Sequence, residues 1–192
     1  NSKNFIKFIE KISNEVDLMF FYVDEELLNI SNNLKNKKVL DKIVISRPDS
    51  INKCLNKKKF YDILYKNKVF TPKIKVSAPA FIKPIYGRGS KDCFYTNSHN
   101  ILKPFVQSNK YITQKFISGT EYTVDCYFNN KFKLVYSLTR ERVVKSNISL
   151  TNKIQKNKVF SNICSQVSNL FNFKGPINFQ FIVEDKSNIP YL

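Results

Sequence analysis

The chain has 192 residues, 42% hydrophobic and 24% charged, with no run near the roughly 18 consecutive apolar residues of a membrane helix and no secretory leader, so a membrane span is excluded within these residues. The net charge of +17 admits nucleic acid, an anionic surface or a phosphorylated compound as partner. The excess is nearly all Lys, 28 residues scattered among 23 Asn, and A/T-rich codons explain that pairing better than selection for a polyanion does.

In chain order, Phe5, Ile6, Ile9 and Ile12 repeat at helical spacing, and Val16 to Tyr22 is a short apolar run suited to a buried strand. Asp24 is placed to cap a second helix carrying Leu27, Leu28 and Leu34, and Ile43-Val44-Ile45 predicts a second strand. Pro48 and Ser50 open a third helix with Leu55, Phe60, Ile63 and Leu64, and Pro72 closes the unit. Alternating elements of this length predict half of a doubly wound parallel sheet.

Beyond Pro72 strands dominate. Ala80 to Pro84 is a brief strand running into Gly87-Arg88-Gly89-Ser90, which holds two of the four glycines in the chain. A helix follows from Ser98 to about Val106, then strands over Tyr111 to Ile117, Glu121 to Phe128 and Phe132 to Leu138, the last two joined by an Asn129-Asn130 hairpin in which Asn takes positive φ. Asn152 to Phe171 reads as one long helix. Pro176 to Glu184 reads as a strand with Asn178 and Gln180 on the face opposite Phe179 and Phe181.

Cys54, Cys93, Cys126 and Cys164 lie more than thirty residues apart without a CxxC, and His99 is the single histidine, so neither a zinc site nor a disulfide scaffold is expected. Reduced thiols in a cytoplasmic protein and a structural His99 at a helix start are the simpler expectations. Because Asn1 is not an initiator Met and the chain stops on an apolar returning segment, a fragment truncated at both ends is expected.

Lys83 ends an apolar strand beside a loop whose glycines let backbone N–H groups approach an anion, and Ser90 adds a hydroxyl. The loop fits neither the Walker pattern nor the Rossmann fingerprint, and alone it is as well explained by a turn. The order of segments adds more. Val16-Asp17 through Asp24-Glu25-Glu26-Leu27, Cys54-Leu55-Asn56-Lys57, Thr71-Pro72-Lys73, Phe81-Ile82-Lys83-Pro84, the glycine loop, Gln114 to Asp125, Arg140-Glu141-Arg142 and Asn178-Phe179-Gln180-Phe181 follow one another as in the ATP-grasp ligases. The chain resembles that superfamily, nearest its branch like the large subunit of carbamoyl-phosphate synthase.

The resemblance implies an α/β part followed by an α+β part. A partial Rossmann-like pre-ATP-grasp domain spans 1–48, and a helical lead-in spans 49–72. Two ATP-grasp subdomains with antiparallel sheets follow, the lid with the glycine loop over 73–118 and a truncated C-terminal one over 119–192. It implies that Lys57 and Lys83 meet ATP phosphates, that Gly87, Gly89 and Ser90 close over them, and that the backbone of Gln114, Lys115, Phe116 and Ile117 meets adenine. Glu121 would bind ribose, Gln180 a magnesium or manganese ion, and Arg140 and Arg142 a carboxylate or acyl phosphate as catalytic residues. The implied activity joins a small carboxylate to an amine or ammonia with ATP. A membrane is not expected as partner, nucleic acid is disfavoured, and a homodimer stays open.

The sequence also departs from the family pattern. Asn56 stands where an acidic partner of Lys57 is usual, Lys115 where a Glu follows the hinge, and Lys91-Asp92 where a last glycine is expected. The Glu-x-Asn pair that completes metal binding would lie past Leu192. Other readings of the same residues stay open: Glu121, Arg140 and Arg142 as solvated strand residues, Lys57 as part of a Lys57-Lys58-Lys59 run, the whole as a nucleotide-binding domain without catalysis, or a basic nucleic-acid module.

Overall fold

The computed structural model describes residues 2–74, 76–145 and 149–192. The N-terminal part is a small α/β layer of helix α1 (Ser2–Ile12), strand β1 (Met19–Phe20), helices α2 (Asp24–Asn33) and α3 (Lys37–Asp41), strand β2 (Ile43–Val44) and helix α4 (Pro48–Leu55). β1 and β2 pair in parallel, Met19 opposite Ile43, over a core of Ile9, Ile30, Leu34, Val39 and Ile43. The strand expected over Val16 to Tyr22 shrinks to two residues. Asp24 does not cap α2. Val23 takes the cap position, and Asp24, Glu25 and Glu26 fill the first turn, where negative charge complements the helix dipole.

The single helix expected from Pro48 onward is two, because α5 (Lys57–Lys66) starts anew after Asn56. Asn56 sits at φ −92° and ψ 96°, and its Oδ1 accepts from the Lys59 N–H at 3.0 Å. A short carboxamide offering itself to the backbone ends one helix and caps the next. Apolar spacing misses this break, since Leu55, Phe60 and Leu64 keep helical phase across it.

Strands β3 (Ala80–Pro84), β4 (Phe94–Thr96) and β5 (Tyr111–Lys115) form an antiparallel sheet in the order β4-β3-β5, covered by helix α6 (His99–Val106) through Leu102 against Ala80 and Ile82. Ser98 caps α6, so His99 does lie at the helix start. β5 stops at Lys115, two residues short of the expected end.

The larger sheet has the order β10-β9-β6-β7-β8, from β6 (Gly119–Phe128), β7 (Leu134–Lys145), β8 (Ser149–Gln155), β9 (Gly175–Glu184) and β10 (Pro190–Tyr191), all antiparallel. Residues 152 to 155 are therefore strand, not the start of the long helix. Pairing with β7 wins there, and helix α7 (Lys158–Phe171) begins only at its Asn157 cap. The β6–β7 loop also differs from expectation: Phe132, not an Asn, takes positive φ (60°), while Asn129 Oδ1 accepts from the N–H groups of Lys131 (2.9 Å) and Lys133 (3.1 Å). With its side chain holding the turn, Asn129 leaves the left-handed position to a later residue.

α7 lays Phe160, Cys164, Val167 and Phe171 on Val124, Cys126, Phe128, Phe179 and Phe181 of the sheet, a period-3.6 stripe on a period-2 face. The other face of the sheet is thereby left polar. Ser46 accepts from the Lys174 N–H at 3.0 Å, and the Ser50 hydroxyl donates to the Phe171 carbonyl, which anchors the N-terminal layer to this sheet. No helix among the described residues is long and apolar enough to cross a membrane.

Candidate nucleotide site

Strand alternation and register decide which side chains share the polar face. Thr123 lies opposite both Arg140 of β7 and Gln180 of β9, and Asp125 lies opposite Asn178. Glu121, Asp125, Arg140, Arg142, Asn178 and Gln180 thus project from one side of the large sheet, as period-2 geometry requires.

Facing them are β3, α5 and the glycine loop. Lys83 Nζ donates to the Tyr61 hydroxyl at 2.7 Å and lies 4.7 Å from the centre of that ring, and no carboxylate pairs with it among the described residues. Lys57 Nζ donates to the Gly87 carbonyl at 2.6 Å. Burial, and then the neighbouring Lys83 charge, hold the Lys57 ammonium below the usual lysine range. Two ammonium groups held close together, only Lys57 being eased by the nearby Asp24 carboxylate, favour an anion between them. Gly87 (φ 130°), Gly89 (φ 64°) and Ser90 (φ 57°) all use left-handed backbone, which aims the loop at this space.

Two adjoining cavities result. One of about 610 Å³ brings together Lys57, Lys83, Gly87, Gly89, Ser90 and Gln180. The second, about 410 Å³, shares Lys83, Ser90 and Gln180 with it and adds Gln114, Lys115, Phe116, Ile117, Glu121 and Arg142. Gln114 is 6% exposed and its Oε1 is buried without a hydrogen-bond partner among the described residues, a placement costing about 1–3 kcal/mol unless a donor arrives.

Arg140 lines neither cavity. It is forked onto Asp125, Nε to Oδ2 at 2.6 Å and Nη2 to Oδ1 at 3.1 Å, and Asn178 Nδ2 adds a bond to the same carboxylate at 2.7 Å. Arg142 pairs with Glu121 at 2.6 Å, and Lys115 with Glu184 at 3.0 Å. The Ser187 hydroxyl, then Lys115, hold the Glu184 carboxyl below its usual range. As for a metal, no group of three His, Cys, Asp or Glu among the described residues could hold one. Gln180 offers a single neutral oxygen and Asp125 is taken, so this donor set does not by itself fit magnesium, which favours carboxylate oxygens in an octahedron.

Tyr61 is a residue that sequence reasoning passed over. Its signal was available: it lies four residues after Lys57 on one helix, hence on the same face. Asp24, read as a cap and as part of the segment resembling the pre-ATP-grasp domain, also lines the larger cavity.

A family model described as an ATP-grasp domain matches residues 54–192. The chain belongs to the ATP-grasp family. No curated protein matches it in sequence. Among solved structures, the ATP-grasp chain is similar to an L-amino acid ligase from Bacillus licheniformis (TM-score 0.71, 16% identity, 100% of this chain and 52% of that one). It is also similar to a D-alanine–D-alanine ligase from Bacillus anthracis complexed with ATP (TM-score 0.67, 16% identity, 97% and 69%). An N5-carboxyaminoimidazole ribonucleotide synthetase from Thermotoga maritima matches with TM-score 0.64 at 13% identity, over 97% of this chain and 52% of that one. At such identities the likeness concerns the fold, and the chain spans about half the length of the first and third.

Proposed function

We propose that this ATP-grasp chain carries the nucleotide site of an ATP-dependent ligase that joins a carboxylate to an amine or ammonia. The observation that supports it most is the convergence of Lys57, Lys83, the glycine loop and Gln180 on one cavity, continuous with the Gln114 to Ile117 segment and Glu121. The triphosphate would lie between the two lysines and the loop, with the base against Gln114 to Ile117, where its amino group would meet the orphaned Gln114 oxygen. Magnesium or manganese belongs to this proposal as the ion that travels with the nucleotide's phosphates. We favour the branch like carbamoyl-phosphate synthase on the ordered motifs and the Gln at position 180. We also favour a cytoplasmic setting on the four unbridged cysteines, and divisions at 72/73 and 118/119, which lie between one sheet and the next, whereas 48/49 falls inside α4.

In the reaction proposed, a substrate carboxylate oxygen attacks the γ-phosphorus and the bond from that phosphorus to the β,γ-bridging oxygen breaks, releasing ADP. The amine nitrogen then attacks the acyl carbon, the carbon–oxygen bond breaks, phosphate departs and the nitrogen sheds a proton. The chain's contribution is positional and electrostatic: Lys57 and Lys83 offset charge on the phosphates, and no side-chain nucleophile is needed. A binding role without catalysis is favoured by one observation, the single neutral metal-type ligand at Gln180.

The test is calorimetry with ATP, with and without magnesium, on the chain and on Lys83→Ala, using a single-stranded oligonucleotide as control polyanion. Magnesium-sensitive ATP binding that weakens at least tenfold in the variant is expected, the loss of a charge-assisted contact of about 1.5–3 kcal/mol. Salt-sensitive oligonucleotide binding with no ATP binding refutes the proposal.

A further inference from the structure

The glycine loop carries one more cation. Arg88 stands between Gly87 and Gly89, and its Nη2 lies 3.2 Å from Oε2 of Glu25 in the first turn of α2. Both residues line the cavity of about 610 Å³ that holds Lys57 and Lys83. The base of the loop is fastened, since Lys57 donates to the Gly87 carbonyl and Asn56 Nδ2 donates to the Tyr86 hydroxyl at 2.7 Å. Around Arg88 itself the backbone is unpacked: a Cβ at Gly87 or Gly89 would meet nothing within 4 Å. The ion pair is also open to water, with the Arg88 side chain 56% and the Glu25 side chain 70% exposed. Arg88 therefore exchanges partners without a packed neighbour having to move.

We propose that Glu25 is an internal competitor of the nucleotide, holding the Arg88 guanidinium that the phosphates would otherwise engage. The inference rests on the nucleotide reading above. A triphosphate offers the guanidinium fork several charged oxygens close to Lys57 and Lys83, whereas Glu25 offers one water-exposed carboxylate on the opposite partner of the loop. Exchange thus favours the nucleotide, and the released Glu25 returns to water at little cost. Each nucleotide that binds must still displace Glu25, so this carboxylate lowers the apparent affinity by the fraction of chains in which Arg88 is held. For an exposed ion pair that factor is about threefold.

The experiment is calorimetry with ATP and magnesium on the parent chain, Glu25→Gln, Arg88→Gln, the double variant and Glu26→Gln. Glu26 belongs to the same turn but does not line the cavity, so its variant reports the loss of a negative charge alone. Glu25→Gln is expected to bind ATP about threefold more tightly than the parent, and Arg88→Gln at least threefold more weakly. With Arg88 already replaced, Glu25→Gln should add nothing, and Glu26→Gln should match the parent. Unchanged or weaker ATP binding by Glu25→Gln, an equal gain from Glu26→Gln, or a gain that persists without Arg88 overturns this inference alone. Failure of the parent chain to bind ATP overturns the nucleotide reading and this inference with it.

Discussion

A methyl group added at Gly119 tests whether the start of β6 is locked to β9 beside the proposed nucleotide site. Its Cβ would lie 2.7 Å from the Val183 carbonyl carbon and 3.1 Å from Glu184 Cα, and nearer still to the Val183 carbonyl oxygen, where ordinary contacts are about 3.5–4 Å. These are backbone atoms of the paired strand, Gly119 being opposite Glu184 and Thr120 opposite Val183, so no side chain can swing aside. Relief requires the ladder to open at its end. That would cost the bonds of about two residue pairs, including the Asp185 N–H to Ser118 carbonyl bond of 3.1 Å, at about 1 kcal/mol each, with a further 1–2 kcal/mol for the residual clash. Gly119→Ala is therefore expected to lose about 3–4 kcal/mol of stability in urea denaturation, and ATP affinity in calorimetry, because Phe116 and Glu121 flank the disturbed turn. Gly87→Ala is the control: nothing lies within 4 Å of its Cβ, so only its positive φ is strained, by about 1 kcal/mol. If Gly119→Ala stays within about 0.5 kcal/mol of the parent and binds ATP equally, the reasoning fails.

Tyr61→Phe removes the acceptor that steadies Lys83 while keeping the ring, and ATP affinity should fall about three- to tenfold with the denaturation midpoint nearly unchanged, the value of one hydrogen bond. Lys57 titrates below the ordinary 10.5, through burial and then the Lys83 charge, so across that window the unfolded chain binds more protons than the folded one. Stability should then rise with pH there while ATP affinity falls, and Lys57→Gln should flatten both trends in parallel urea and calorimetric titrations. Asn56→Ala should cost about 1 kcal/mol in denaturation through loss of the α5 cap, whereas Asn56→Asp should retain it.

Much of the site was legible in the sequence because its chemistry is carried by local devices. Glycines at 87 and 89, in a chain with four of them, announce a backbone that must turn left-handed, and a Lys closing an apolar strand announces a cation needing a partner. The alternation from Pro176 to Glu184 placed Gln180 away from the phenylalanines, and it does line the cavity. Where reading failed, a competing interaction was invisible in one dimension. Asn56 preserved helical phase while breaking the helix, and residues 152–155 carry a helix-compatible composition that strand pairing overrode.

Sequence by itself therefore determined the element types of the strongly periodic segments, the glycine loop and the membership in an ordered family pattern, because periods of 2 and 3.6 and backbone conformation are short-range properties. Tertiary structure alone decided which charges meet. Arg140 and Arg142 look interchangeable along one strand, yet strand register binds Arg140 to Asp125, away from the two candidate cavities, and Arg142 to Glu121 at their edge. It alone likewise set Tyr61 against Lys83 and Asp24 near Lys57, since such contacts join residues separated in sequence and are fixed by how the sheets pack.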